Sequence, residues 1–213
     1  MIKAAGHLSP KLGIFHMRRS AAFIAIALLL STGALARNSG APIQGVCPAG
    51  TYSVVNSPDG STLSILFDNF LLNASAGSGS TNRISCSIQV PLNLPDGYSL
   101  GVYKVDYRGF AHLSTKQLAE LSVDYTFGTR NKSRNYHRKI NGALDGDFLF
   151  SETIGAGLMK RVGCGDDASL NVTAALELNT TVQPGEAMVA LDSVDGTPKG
   201  GLIYRFDLKK CGQ

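Results

Sequence analysis

The sequence predicts an all-β fold, an antiparallel β-sandwich of roughly eight to ten strands stapled by disulfides. Three observations predict it. Apolar and polar residues alternate with a period of two in run after run, Asp-Gly pairs punctuate those runs, and four cysteines follow an export-type leader. The clearest alternation is in "LSVDYTF", where Leu121, Val123, Tyr125 and Phe127 share a face, and in "LNVTAALEL", where Leu170, Val172, Ala174, Leu176 and Leu178 do the same. Successive strand side chains point to opposite sides, so such runs are half-buried strands, apolar inward and polar outward.

The leader comes first. In "MRRSAAFIAIALLLSTGALA", residues 17–36, Arg18 and Arg19 form a positive start, Ala21 to Leu30 an apolar core, and Ala34-Leu35-Ala36 a small-x-small cleavage site. The expected organisation is a signal peptide over 1–36, with Met17 as the initiator and cleavage after Ala36, then a single secreted domain over 37–213. The apolar core falls well short of the roughly 20 helical residues a bilayer demands, and no later run is long and apolar enough to anchor the chain, so no membrane span is expected. Lys3, Lys11, Arg18 and Arg19 all belong to the leader. Without them 16 of the 20 basic residues face 16 acidic ones. The net charge of +4 therefore belongs to the export signal and offers no reason to expect nucleic acid as a partner.

Along the remaining chain the alternating runs place strands at 52–55, 62–70, 87–92, 98–107, 121–127, 135–140, 147–153, 170–178, 187–194 and 202–209. Asp59-Gly60, Asp96-Gly97, Asp145-Gly146 and Asp195-Gly196 supply the positive-φ residue that tight hairpins require, and so are read as turns between neighbouring strands. "STKQLAEL" is the sole helix candidate, either one turn or the lead-in to the next strand. "NASAGSGSTNR", residues 73–83, is a Gly/Ser-rich loop, and "GTRNKSRNYHRK" is the only dense basic run.

Cys47, Cys86, Cys164 and Cys211 are an even set in an exported chain, which reads as two disulfides. Three connectivities are open; Cys47 with Cys86 and Cys164 with Cys211 would staple each end of the domain to itself. Each such bridge contributes about 4 kcal/mol on the loop-entropy model. No CxxC pair is present and only His112 and His137 survive the leader, so neither a metal site nor a cofactor is expected.

Taken in order, "CPAGTYSVVNSPDGSTLSILFDNF", Cys86, "VDYRGFAHL", "ALDGDF", a lone "CG" and the closing "DLKKC" resemble the small secreted family known as domain of unknown function 4360, from Cys47 to Cys211. The resemblance implies a cysteine-bearing, β-rich exported domain and carries no activity with it. Members of that family often have a tryptophan near the last cysteine, where this chain has Leu208-Lys209-Lys210.

Several clusters are candidate sites. In "VDYRGFAHL", Asp106 and Arg108 share one strand face and Val105 and Tyr107 the other; the expectation is a structural strand end turned by Gly109, with Asp106 and Arg108 fixing the bend. His112 is a conceivable base, but no nucleophile or orienting carboxylate stands at a recognisable spacing. Asp145 with Asp147, and Asp166 with Asp167, read as solvated turn acids in preference to calcium ligands. Arg134, Tyr136 and Arg138 share a face and form a cation-aromatic-cation stripe that could grip sulfate, phosphate or sugar; the plainer reading is a charged outer face that discourages edge aggregation. The chain has no tryptophan, the ring best suited to stacking on sugars. No GxSxG, HExxH or nucleotide-binding pattern occurs. The residues therefore point to a non-catalytic extracellular or cell-surface binding or structural module, whose partner is a cell-surface polysaccharide or another extracellular protein. The alternative is a β-sandwich hydrolase of polysaccharide using strand-end acids.

Overall fold

The computed structural model describes residues 46–212 except 48, 78, 130, 156–159, 166–167 and 192–199. The expected leader over 1–36, Arg130, Asp166, Asp167 and the Asp195-Gly196 pair lie outside the described residues. Twelve strands are described, and no helix. They are β1 (Tyr52–Asn56), β2 (Thr62–Phe67), β3 (Leu71–Ala74), β4 (Thr81–Pro91), β5 (Tyr98–Leu113), β6 (Leu118–Phe127), β7 (Arg134–Asn141), β8 (Leu144–Thr153), β9 (Val162–Gly163), β10 (Ser169–Asn179), β11 (Ala187–Ala190) and β12 (Gly201–Lys210). The all-β expectation holds, and all strand pairs are antiparallel.

The strands form two sheets. Eight build one, in the order β1-β2-β12-β5-β11-β3, with β8 and β9 on the other side of β5; the second runs β4-β10-β6-β7. Alternation decides what each buries. Leu63, Ile65, Phe67, Val105, Tyr107, Leu202, Tyr204 and Phe206 line the inner face of the larger sheet, and Ile84, Ile88, Leu121, Val123, Tyr125, Phe127, Val172 and Leu176 that of the smaller. Each large apolar side chain buried this way contributes roughly 1.5–3 kcal/mol. Tyr125, Phe127, Tyr204 and Phe206 meet edge to face at the centre, with centroids 5.7 to 6.1 Å apart.

The Asp-Gly pairs divide. Asp59-Gly60 turns the β1–β2 hairpin, with Gly60 at φ +69°, where Asp59 accepts hydrogen bonds from Ser57 and Ser61. Asp96-Gly97 also turns with positive φ, but it carries the chain from β4 in one sheet to β5 in the other. Asp145-Gly146 is no turn: both residues lie within β8, opposite His112 and Ala111. An Asp-Gly pair has the same local chemistry in all three places, and long-range pairing with β5 overrides it in the third. "STKQLAEL" resolves as a turn with Lys116 at φ +70°, followed by the start of β6.

Disulfides join Cys47 to Cys86 and Cys164 to Cys211. The first holds the incoming chain against the edge strand β4, where Val46 pairs in parallel with Ser87 and the Cys47 amide donates to the Ser87 carbonyl. A sheet edge otherwise open to pairing is thereby occupied.

Candidate functional site

"VDYRGFAHL" forms the last nine residues of β5, which runs unbroken from Tyr98 to Leu113, so the chain does not turn at Gly109. The irregularity in its ladder falls elsewhere, at Arg205/Phe206 of β12, opposite Lys104 and Val102. Gly109 is required for another reason: a Cβ there would run into the Ala190 carbonyl oxygen and the Phe148 ring. Asp106 is 1% exposed and does not pair with Arg108. Its carboxylate accepts from the Ser151 hydroxyl at 2.6 Å, from Lys104 at 3.0 Å, and from Nε and Nη2 of Arg205 at 3.3 Å each. Burial pushes this carboxyl up, and Ser151, Lys104 and Arg205 together outweigh it and hold it below the usual carboxylate range.

The Arg134, Tyr136, Arg138 stripe exists by parity, but Tyr136 is buried and Arg134 half-buried, and of the three Arg138 alone is exposed. Tyr136 is 5% exposed and its ring stacks on Tyr107 at 3.9 Å, while the Arg138 guanidinium sits 5.0 Å over the Tyr136 ring. Arg134 donates to Glu152 at 2.9 Å. Glu152 also accepts from the hydroxyls of Tyr107 and Tyr125, both at 2.9 Å. Burial drives the Tyr107 and Tyr125 hydroxyls well above the ordinary tyrosine range, so they remain donors. The Glu152 carboxylate of β8 thus ties the edge strands of the two sheets together, and Arg134 and Tyr136 are spent on structure.

His112 does find a carboxylate: Asp145, its direct cross-strand partner, lies 3.0 Å from Nδ1. Both are well exposed, in a shallow hollow with Ser114 and Thr115. Asp147 stands on the outer side of β8 without a partner among the described residues. No group of three or more His, Cys, Asp or Glu residues able to hold a metal occurs among the described residues.

The surface that gathers unspent polar groups is the outer face of the four-stranded sheet. Register sorts it into rows. One row is Gln89–Asn171–Thr126, and the next is Ser87–Thr173–Asp124–Asn135. Ser87 and Thr173 share a hydrogen bond at 2.7 Å, and Asn135 donates to Asp124 at 2.8 Å. Gln89, Asn171, Thr126 and Ser133 make no side-chain hydrogen bond among the described residues, and all four line an open hollow of about 310 Å³ walled at one end by exposed Val46. Further along the same face Glu177 and Glu120 stand directly opposite each other, flanked by Arg83 at 3.6 Å and Lys139 at 3.6 Å. His137 approaches Glu120 to 2.9 Å and is the main reason that carboxyl is held below its usual range. No residue of the Gln89–Asn171–Thr126 row stands out singly in the sequence. The signal that could have found them is the polar half of the same alternation that revealed the core.

A family model described as "Domain of unknown function (DUF4360)" matches residues 44–211. The chain belongs to that family. The DUF4360 domain is also 26% identical over 150 residues, 70% of this chain, to a protein of Arthroderma benhamiae described as "Uncharacterized secreted protein". It spans 61% of that relative's length. Among solved structures it overlaps 75% of its length with 82% of the carbohydrate-binding module TmCBM61, determined in complex with β-1,4-galactotriose. Identity there is 12% and the TM-score 0.34, so loose an overlap that it carries no argument about this DUF4360 domain.

Proposed function

We propose that this DUF4360 chain is exported as a single domain over 37–213 and acts as a non-catalytic binding module, holding an extracellular polysaccharide on the outer face of its four-stranded sheet. One observation carries the reading: Gln89, Asn171, Thr126 and Ser133, carboxamides and hydroxyls without protein partners among the described residues, share one exposed hollow beside Asp124. A sugar ring offers hydroxyls that donate and accept, and amide and hydroxyl side chains match both roles. Neighbouring strands set these groups about 4.8 Å apart, a fixed array that needs little ordering on binding. Export is supported by the leader pattern in 17–36, by the two disulfides and by the description of the relative as secreted.

The test is retention of the oxidised chain, Arg37 to Gln213, on insoluble polysaccharides and cell-wall fractions. Saturable retention, unchanged by EDTA and lost in a Gln89→Ala/Asn171→Ala variant that melts like the parent, is the expected result. An absence of retention on every fraction, or full retention by that variant, overturns the reading.

A polysaccharide hydrolase is favoured by one feature, the cross-strand pair Glu120 and Glu177 on that same face. Against it, a general acid needs a raised pKa, whereas His137 holds Glu120 down. New reducing ends that appear with the parent chain and vanish with Glu177→Gln would decide for hydrolysis.

A further inference from the structure

The geometry points to a second site on the opposite side of the sandwich, where Lys104, Arg108 and Arg205 on the outer face of the eight-stranded sheet bind the carboxylate or sulfate groups of an acidic polysaccharide. Asp106 organises it. Its two oxygens are already saturated by Ser151, Lys104 and Arg205, so this buried carboxylate works as an anchor and leaves no lone pair seeking a ligand. The anchored cations remain about one-third exposed, at 35% and 37% of their side-chain surface. An ammonium has three donors and a guanidinium five, and the anchor uses only one from Lys104 and two from Arg205.

Arg108 completes the group. It lies two residues along β5 from Asp106 on the same side, opposite Gly201 of β12 and Leu149 of β8, neither of which offers it an acceptor side chain. It makes no hydrogen bond or ion pair among the described residues, and its Nε is fully buried without an acceptor. Asp147, diagonally across on β8, forms no ion pair with it. Lys104 and Arg205 thus share one neutralising carboxylate and Arg108 stands unpaired beside them, in a mature chain whose 16 basic and 16 acidic residues balance. Any affinity for a polyanion must then come from a local cluster, because the molecule as a whole exerts no net attraction. Planar guanidinium groups grip carboxylate and sulfate oxygens in pairs, and anchoring in advance reduces what binding must order.

This site does not rest on the neutral-sugar reading of the other sheet, and one set of variants separates them. The oxidised mature chain is titrated at low salt with polygalacturonate, dextran sulfate and unmodified dextran. Binding to one or both polyanions is expected, and which one binds tells carboxylate from sulfate. Arg108→Gln, which removes no hydrogen bond or ion pair with a described residue, is expected to weaken that binding roughly tenfold. Lys132→Gln, exposed and unpaired, is expected to leave it unchanged, as is Gln89→Ala/Asn171→Ala. If Arg108→Gln does not fold, Arg205→Lys serves, keeping the charge but losing the planar fork, with a severalfold loss expected. Failure to bind either polyanion, equal binding by Arg108→Gln or its substitute, or an equal loss with Lys132→Gln would each overturn the proposal.

Discussion

Glu152 gathers Tyr107 from β5, Tyr125 from β6 and Arg134 from β7 onto a single carboxylate, and does so where the two sheets open at their edges. The side chain is little exposed, so removing its charge leaves Arg134 without its acid and two phenol hydroxyls competing for a weaker acceptor. Glu152→Gln is expected to cost about 2–4 kcal/mol, read as a lowered urea midpoint at constant slope. Parity alone puts Glu152 on the core side, since it follows Phe148 and Phe150 by steps of two. What parity withheld is the partner. The three groups that meet it stand 18 to 45 residues away in the chain. The same limit applies to Asp106, which was expected to fix a bend together with Arg108 and whose observed partners include Arg205 from another strand.

At the scale of elements, strands are legible and their ends less so. The ten alternating runs correspond to ten of the twelve strands; β9 has only two residues, and in β3 the adjacent Leu71 and Leu72 break the alternation. The Gly/Ser-rich loop is shorter than composition suggests, because Asn73 and Ala74 belong to β3 and Thr81 to Arg83 to β4. The edge of β4 shows an element whose security depends on a covalent bond. Replacing Cys47 and Cys86 together by serine is expected to cost about 4 kcal/mol and to free the Val46–Cys47 segment from that edge. Denaturation reads the first effect, and concentration-dependent self-association by sedimentation reads the second, because an uncovered strand edge pairs with other chains. A variant as stable and as monomeric as the parent would show that the bridge holds nothing in place.

At the scale of the whole molecule, three carboxyls among the described residues are held below their ordinary range: Asp106 in the face of the larger sheet, Glu120 on the outer face of the smaller, and Asp59 in the first hairpin. The Asp59 carboxyl is held at about 2, chiefly by the Ser57 hydroxyl and then by the amide and hydroxyl of Ser61. Because the folded values lie below the unfolded ones, stability is full above the ordinary carboxylate range of about 4 and is lost as pH falls through the lowered values. The thermal midpoint is therefore expected to be flat from neutrality to about pH 5 and to fall steeply below about pH 4, with a shallower fall in Asp106→Asn. A midpoint that rises on acidification would contradict these charge assignments.

What the sequence by itself determined is local and periodic. Alternation with a period of two set which residues of each strand face the core, and the even cysteine set marked two disulfides, because side-chain direction and thiol chemistry depend on near neighbours and on compartment. What only the tertiary structure decided is pairing across the chain: Asp145-Gly146 became strand because β5 lay beside it, and Arg134 and Tyr136 were drawn inward by Glu152 and Tyr107. The rows of polar groups on the smaller sheet and the cations around Asp106 arise in the same way. Register joins strands that are distant in sequence, and no local periodicity encodes which row a residue will enter.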